Sequence, residues 1–301
     1  MKKALLILFA VSFALVAGCK LIDVVADAAA VTGVISSEQA QYASSGAKVA
    51  SKTFDAMKDI TPEQEYYIGR SVGATVLKTY QPYTEKTVNE YVNLLGQALA
   101  MASDMPETFG GYHFLIMATD EINAFGAPGG LIFVSRGLLK CCKNEDMLAA
   151  VLAHEIGHVQ NKHGLRAIKA SRGTAVFTTA AAEAGKSFGG AELAQLTTAF
   201  EGTIGDIAAT MVNSGYARKL ETQADTDAIT IMKRVGYNPT AIKDMLLEME
   251  KQLKHSKGGF AKTHPDPQVR IKDIEKLIGG CGPVISPKAR QERFNRAMAQ
   301  I

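Results

Sequence analysis

Two histidines and a glutamate with the spacing of a metal-dependent hydrolase lie in the middle of the chain, in His154-Glu155-Ile156-Gly157-His158. Residues four apart lie on one face of a helix, so His154 and His158 can direct ring nitrogens at a single metal ion. Glu155 lies beside them, where it can accept a proton from water activated by the metal. With six histidines in the chain, the pattern is expected by chance only about 0.01 times. The segment therefore predicts a catalytic zinc site.

The third ligand is expected from a later helix, because a catalytic zinc site uses three protein ligands and keeps a fourth position open. Glu221 is the candidate. Asp225 follows one turn later on the same face and can hydrogen-bond the outer nitrogen of a liganding histidine. Taken alone, two acidic residues four apart are typical of a solvated helix face. Beside His154 and His158 they indicate a site for one Zn²⁺ per subunit.

The elements that position these residues are predicted to be mostly helical with a small β-sheet, an α+β fold. Apolar periodicity and capping residues predict helices over 61–77, 84–102, 144–163, 216–235, 240–253, 268–277 and 287–299. The first of these helices begins with Thr61 as N-cap, and Gly164 is expected to stop the third, 144–163. Short β-prone runs at 112–118 and 131–135 predict two strands, and Pro128-Gly129-Gly130 predicts a tight turn between them. The Ala-rich stretch 170–215 is expected to form helices with loops.

The chain resembles the gluzincin peptidases related to HtpX, the CAAX prenyl protease and the mitochondrial Oma protease. The resemblance covers about residues 60–280. It rests on four segments, which contain His154, Glu155 and His158; Arg218, Lys219, Glu221 and Asp225; Asn123, Ala124, Phe125, Pro128–Gly130 and Gly137–Leu139; and Thr263, His264, Pro265 and Arg270. It implies a zincin-type metallopeptidase domain over 61–301. No run after residue 18 is long and apolar enough to span a bilayer, so the chain is most similar to the lipid-anchored or periplasmic branch that includes the β-barrel assembly-enhancing protease.

The resemblance implies roles for four further residues. Asn123 and Ala124 would lie on or near an edge strand that holds an extended peptide by strand addition, whereas a simple turn-forming Asn is the alternative. His264 would approach the zinc as an occluding fourth ligand or stabilise the oxyanion, whereas a loop histidine with its hydrogen bonds satisfied is the alternative. Arg270 would support the same loop or the developing charge, or form a surface salt bridge.

The remaining histidines and one tyrosine give weaker signals. His113, His163 and His255 are interpreted as structural or solvated residues and not as ligands. Tyr216 lies near the start of the helix that carries Glu221, where it could donate to an oxyanion or simply pack.

The N-terminus has the pattern of a bacterial lipoprotein signal. Lys2 and Lys3 precede an apolar run over 4–16, which ends in a sequence that looks like a lipobox before Cys19. We therefore expect a signal peptide over 1–18, lipidation of Cys19, and a tether with an N-terminal helix over 19–60. Lys20 after the cysteine favours the outer membrane. The alternative is an ordinary signal peptide followed by a chance cysteine.

The composition of the chain limits the classes of partner that it is expected to bind. The net charge is +3, the chain has no Trp, and no basic stretch alternates with aromatic residues, so nucleic-acid binding has little support. In an oxidising periplasm Cys281 could pair with Cys141 or Cys142, and the connectivity stays open. The expected partners are envelope proteins or peptides as substrates and the membrane through the lipid anchor. The sequence does not specify an oligomeric state.

The expected function is zinc-dependent endopeptidase cleavage of misfolded or misassembled envelope proteins, with Glu155 as the base that activates water. A rival function is a chaperone or assembly factor for outer-membrane proteins with a latent peptidase site. A third, a purely structural zinc lipoprotein, would have no need for Glu155.

Overall fold

The computed structural model describes residues 60–166, 211, 215–253, 264, 267–279 and 284–301. These residues lie within one compact unit, formed by Ile60–Ile168 and Phe188–Ile301. The predicted signal segment 1–18, Cys19, nearly all of the tether 19–60 and most of the stretch 170–215 fall outside the described residues. His255, Thr263, Pro265 and Cys281 also fall outside them.

The described chain alternates helices with a small central sheet. The helices are α1 (Pro62–Thr79), α2 (Lys86–Ala100), α3 (Arg136–Cys141), α4 (Glu145–Gln160), α5 (Arg218–Val235), α6 (Ala241–Leu253), α7 (Pro267–Ile278) and α8 (Lys288–Met298). The strands are β1 (His113–Met117), β2 (Ala124–Ala127) and β3 (Leu131–Ser135). The predicted α+β fold class is confirmed.

Helix ends follow the capping signals of the sequence. At the start of α1 the Thr61 hydroxyl accepts from the Gln64 N–H at 3.2 Å, and the Gln64 side chain accepts from the Thr61 N–H at 3.1 Å. At the start of α4 the Asn144 side chain accepts from the Met147 N–H at 2.9 Å. These local bonds explain why the starts of both helices were predictable.

The end of α4 and the presence of α3 were not predicted. The prediction that α4 continues to about His163 and stops at Gly164 is wrong, since the helix ends at Gln160. The Asn161 side chain donates to the Gly157 carbonyl at 2.8 Å, and Lys162 adopts a left-handed backbone with φ of 55°. Residues 163–166 are helical again. The short helix α3 begins where the Ser135 hydroxyl accepts from the Leu138 N–H.

The sheet has three strands in the order β1-β3-β2. β1 and β3 are parallel, whereas β2 is antiparallel to β3. The predicted turn at Pro128–Gly130 is present, but it joins β2 to β3, and Gly129 has a φ of 77°, which favours glycine. The sequence periodicity missed β2, because four residues give too short a pattern to recognise.

The edge of β2 that faces away from β3 has no strand partner among the described residues. The Ser135 N–H donates to the Asn123 carbonyl at 2.9 Å, and the Asn123 N–H donates to the Ser135 hydroxyl at 3.0 Å. In an antiparallel pair, bonded and non-bonded positions alternate, so the backbone groups of Ala124 and Gly126 point away from β3. They are the groups that a further strand could use.

The sheet separates two apolar cores, because successive side chains of a strand point to opposite faces. One face packs with α2 and α4 in a large cluster that includes Phe114, Ile132 and Val134. The other face packs with α1 through a smaller cluster that includes Phe125 and Phe133, whose rings stack at 5.1 Å. The sheet is therefore covered on both faces.

The helix α4 is the centre of the fold, since every residue from Glu145 to Val159 is buried. Its N-terminal acid Glu145 accepts from Tyr91 at 2.9 Å, from Tyr237 at 2.6 Å and from the Arg293 guanidinium. Burial alone would raise the pKa of Glu145, but these hydrogen bonds hold it below its usual value. The C-terminal helix α8 is thereby joined to the first turn of α4.

Cys141 and Cys142 are buried and do not form a disulfide with each other. Their thiols donate to the carbonyls of Gly137 and Leu138, one turn earlier. Burial raises the pKa of Cys141 to about 11, so this thiol is unreactive. The predicted pairing with Cys281 lies outside the described residues.

The contact between Arg293 and Glu145 yields the first testable prediction. Arg293→Ala should lower the free energy of unfolding by about 1–3 kcal/mol, because a charged hydrogen bond to a buried carboxylate is lost. Urea denaturation measures the change. The control is Arg296→Ala on the same helix, an exposed position where a change within about 0.5 kcal/mol is expected. Equal effects of the two substitutions would contradict the role of Arg293.

Candidate metal centre

Four buried side chains from three parts of the chain converge beside α4. His154 and His158 come from α4, Glu221 from the first turn of α5, and His264 from the segment before α7. Each offers one ligand atom, and these atoms all lie within 4.8 Å of one another. The structure thus brings together the three residues that the sequence proposed as metal ligands, with His264 as a fourth neighbour.

The spacing of the first three residues fits a tetrahedral zinc ion. The Nε2 atoms of His154 and His158 lie 3.1 Å apart. Glu221 places Oε2 3.5 Å from Nε2 of His154 and Oε1 3.4 Å from Nε2 of His158. Ligands that are each about 2.1 Å from one zinc ion in tetrahedral geometry are about 3.4 Å apart. The donor set and its dimensions therefore suit zinc.

The outer side of His154 is held by Asp225, as the sequence predicted for that residue. Oδ1 of Asp225 lies 2.9 Å from Nδ1 of His154. A carboxylate only accepts, so His154 carries a proton on Nδ1, and its Nε2 faces the cluster. Arg270 donates two hydrogen bonds to the same carboxylate, from Nε to Oδ2 at 3.0 Å and from Nη2 to Oδ1 at 2.6 Å.

Arg270 is thus placed behind the ligands. Its guanidinium contacts Asp225 and lies 3.8 Å from Oε2 of Glu221. Arg270 is buried, which differs from the surface salt bridge that the sequence left open. Its position suits a residue that acts by fixing Asp225 and, through it, His154.

The electrostatic field of the cluster favours a cation. Burial and Arg270 lower the pKa of His154, but the carboxylates of Asp225 and Glu221 outweigh them and raise it to about 9. Burial alone would raise the pKa of Glu221, yet the neighbouring histidines hold it well below its usual value. Oε1 of Glu221 is buried and has no hydrogen-bond partner among the described residues. A metal ion would compensate the negative charge of the carboxylates and would give Oε1 of Glu221 a partner.

Glu155 lies next to the ligands on α4 and is itself buried. Its Oε1 has no hydrogen-bond partner in the part of the chain that the structure describes. Burial raises the pKa of this carboxyl, against the lowering influence of His154 and His264. A buried carboxylate oxygen without a hydrogen-bond partner is costly for stability, so its presence indicates a chemical use.

The outer side of His158 is held by His163, which the sequence predicts to be structural or solvated. The two Nδ1 atoms lie 2.8 Å apart, and Nε2 of His163 lies 3.2 Å from the Gln223 side-chain oxygen. Burial lowers the pKa of His163 to about 4, so the ring is neutral. His163 is fully buried. The sequence offers one signal for this contact, the position of His163 five residues after His158. Residues five apart do not share a helix face, so helical spacing does not predict the contact.

His264 lies inside the cluster and not on a loop surface. Its Nδ1 lies 2.7 Å from Oε2 of Glu221, a hydrogen-bonding distance. The ring lies 5.4 Å from that of His154. This placement puts His264 within reach of the ligands, and the hydrogen bond to Glu221 is also what the alternative of a satisfied loop histidine would show.

Tyr216 covers the other face of His158. The two rings stack with their centroids 4.5 Å apart. The Tyr216 hydroxyl is buried without a hydrogen-bond partner among the described residues, and burial raises its pKa far above the usual value. The packing role that the sequence allowed for this residue is therefore present.

Asn123 and Ala124 are not part of the ligand cluster. Both are buried at the start of β2. The same strand passes directly over α4, because a Cβ at Gly126 would lie 2.8 Å from the Glu155 carbonyl. The edge strand and the backbone of α4 at Glu155 are thus held next to each other by a position that only glycine fits.

A cavity opens on the other side of Glu155, between α4 and α6. Its lining is apolar except for the site residues themselves, and consists of Ala150, Val151, His154, Glu155, Ile242, Met245, Leu246, Met249 and Arg270. An apolar side chain of a bound peptide would match this lining.

The close packing of α4 on α5 allows Glu221 to reach the histidines. A Cβ at Gly157 would lie 3.0 Å from the Ala224 carbonyl and 3.1 Å from the Ala224 Cα. No larger residue fits between the two helices at this point.

Within the described residues, no helix is long and apolar enough to cross a membrane.

Comparison with known proteins agrees with this site. The family model of peptidase family M48 matches residues 86–278. The chain is 27% identical to the β-barrel assembly-enhancing protease of Escherichia coli (strain K12) over 223 residues, which cover 73% of this chain and 44% of that protein.

Two further relatives have similar descriptions. The chain is 31% identical to the mitochondrial metalloendopeptidase OMA1 of Schizosaccharomyces pombe over 231 residues, which cover 74% of this chain and 59% of that protein. It is 25% identical to the metalloprotease LoiP of Escherichia coli over 170 residues, which cover 56% of this chain and 64% of that protein. The chain spans about half the length of the curated relatives it matches.

The matched range contains α4 with its two histidines and α5 with Glu221. The chain therefore belongs to peptidase family M48, and residues 86–278 form a metallopeptidase domain of that family.

Proposed function

We propose that the protein is a zinc-dependent endopeptidase on the periplasmic side of a bacterial cell envelope. The observation that carries this proposal is the unpartnered carboxylate oxygen of Glu155, buried beside three ligand atoms at zinc spacing. A structural zinc site needs no such group, because its four ligands are all protein atoms and its surroundings are satisfied.

The proposed mechanism divides the work between the metal and Glu155. A zinc ion held by His154, His158 and Glu221 would supply Lewis-acid polarisation of the peptide carbonyl and make water more acidic. Glu155 takes the proton of the attacking water, and then delivers it to the nitrogen of the departing amine. Burial raises the pKa of the Glu155 carboxyl, which makes this carboxylate a stronger base in the first step.

The proposed substrate is an extended polypeptide. The backbone groups of Ala124 and Gly126 that point away from β3 can bind a peptide as a fourth strand. Asn123 anchors the start of this strand through Ser135. The apolar cavity next to Glu155 would accept an apolar side chain near the scissile bond, which suits unfolded segments that expose their core residues.

The envelope location rests on the N-terminal sequence and on the nature of the relatives. The signal pattern over 1–18 and the lipid attachment expected at Cys19 would hold the domain at a membrane surface, with the outer membrane favoured by Lys20. The β-barrel assembly-enhancing protease is among the relatives. We therefore propose misfolded or misassembled envelope proteins as substrates.

The contact between His264 and Glu221 supports a latent state of the site. Nδ1 of His264 lies 2.7 Å from Oε2 of Glu221, and His264 offers a ligand atom within 4.8 Å of those of the other three residues, so it could serve as the fourth ligand of a bound zinc ion. The peptide carbonyl needs that position. The same contact favours the second candidate function, a chaperone that binds outer-membrane proteins while its peptidase site is closed.

Glu155→Gln tests the assignment of the base. The variant should still bind one zinc ion per chain, because the ligands are intact, and should lose at least about 100-fold in cleavage of casein, as expected when a general base is removed. Metal analysis and a fluorescent casein assay measure the two effects.

The matched control is Glu292→Gln, at an exposed position of α8, which should leave cleavage unchanged. Casein cleavage at the wild-type rate by Glu155→Gln would refute the mechanism. In cells, a proteolytic role is lost in this variant, whereas a chaperone role survives it.

His264→Ala tests the latent state. Removal of the ring should increase casein cleavage several-fold with zinc content unchanged, because the fourth position becomes available to substrate. A decrease in cleavage would instead assign His264 to oxyanion stabilisation. Initial rates at saturating and at low substrate separate the two outcomes.

Cys19→Ser tests the anchor. The wild-type protein should sediment with outer membranes, and the variant should be released with the soluble periplasmic fraction, because the acyl chains are lost. Cys141→Ser, at a buried cysteine of the domain, is the control that should stay with the membrane. Identical fractionation of wild type and Cys19→Ser would rule out lipid anchoring at this residue.

A further inference from the structure

The two histidines of α4 are supported in different ways on their outer sides. His154 is held by the carboxylate of Asp225, at 2.9 Å. His158 is held by another imidazole, since its Nδ1 lies 2.8 Å from Nδ1 of His163. Two ring nitrogens at this distance need one proton between them, so one ring donates and the other accepts. Which ring donates decides whether Nε2 of His158 has a lone pair for a metal ion.

A backbone carbonyl determines which of the two rings donates, through the orientations of Asn161 and Gln223. The carbonyl of Gly157 only accepts, so the group of Asn161 that contacts it at 2.8 Å is the Nδ2 donor. The Oδ1 of Asn161 therefore faces Gln223, which donates to it from Nε2. It follows that the oxygen Oε1 of Gln223 is turned towards His163.

A second contact agrees with this orientation of the amide. Nη1 of Arg166 lies 3.2 Å from the same Oε1 atom of Gln223. A guanidinium only donates, so the atom that it contacts is an acceptor. Nε2 of His163, 3.2 Å from Oε1, is then the protonated nitrogen of its ring.

We propose that His163 is a positioning residue of the metal centre, which fixes the tautomer and the ring orientation of His158. Because Nε2 of His163 carries the proton, its Nδ1 accepts from Nδ1 of His158. Nε2 of His158 is left with a lone pair that points at Glu221 and His154. Gln223 is the residue that sets His163 in this state. The proposal rests on the proposed zinc site and adds two residues to its support.

The arrangement also determines how much charge surrounds the metal. A carboxylate behind a liganding histidine makes the ring a stronger electron donor, whereas a neutral imidazole does so less. The centre has the anionic Glu221 as a ligand and Asp225 behind His154. A neutral partner behind His158 would limit the negative charge around a bound metal ion and so would leave that ion a stronger Lewis acid. His163 itself is no ligand, since its Nδ1 faces the outer side of His158.

Zinc affinity measured on the full-length protein tests the proposal without any use of peptidase activity. His163→Leu should weaken zinc binding about 10–100-fold in competition with a chromophoric chelator, the usual effect of losing an outer partner of a ligand. His163→Gln should restore affinity to within about threefold, because its Oε1 can accept the proton of His158. The visible spectrum of the Co²⁺-substituted protein should change in His163→Leu and not in His163→Gln.

A second pair of variants covers the case in which His163→Leu does not fold. Gln223→Leu leaves the ring of His163 in place but removes the acceptor that sets its tautomer, so zinc affinity should fall. Thr226→Ala, at an exposed position of the same helix, is the control and should bind zinc like wild type. Wild-type affinity and an unchanged Co²⁺ spectrum in His163→Leu, or wild-type affinity in Gln223→Leu, would overturn the proposal while leaving the proposed function intact. Failure of the wild-type protein to bind zinc would overturn both.

Discussion

The structure depends on holding together ligand atoms that repel one another. Two imidazole nitrogens with lone pairs and one carboxylate lie 3.1 to 3.5 Å apart in a buried environment. Burying three polar groups at such short range costs free energy, and Oε1 of Glu221 has no hydrogen-bond partner among the described residues. The fold must therefore provide the rigidity that keeps the ligands in place, and the metal would return part of that free energy on binding.

The rigidity comes from α4 and from what packs on it. Every residue of this helix from Glu145 to Val159 is buried, which leaves its backbone little freedom. Gly157 allows α5 to approach until Glu221 reaches the histidines, and Gly126 allows β2 to approach Glu155. At the N-terminal end Arg293 of α8 binds Glu145. Contacts remote from the site thus determine the distances within it.

The outer partners of His154 and His158 differ in charge. Asp225 with Arg270 forms a charged pair behind His154, whereas His163 with Gln223 forms a neutral pair behind His158. Both arrangements leave Nε2 free, but they place the negative charge on one side of the centre. His264 is the one member of the ligand group that belongs neither to α4 nor to α5.

The sequence alone determined the helix that carries His154, Glu155 and His158, the candidate third ligand, and the starts of α1 and α4. These features follow from helical spacing and from capping side chains, which are interactions between residues a few positions apart. Only the tertiary structure decided the position of β2, the burial of Arg270 and the contacts of His163 and His264. Gln223 lies 60 positions from His163, and Glu221 lies 43 positions from His264. No local pattern encodes such contacts, because they form only when α4, α5 and the segment around His264 pack together.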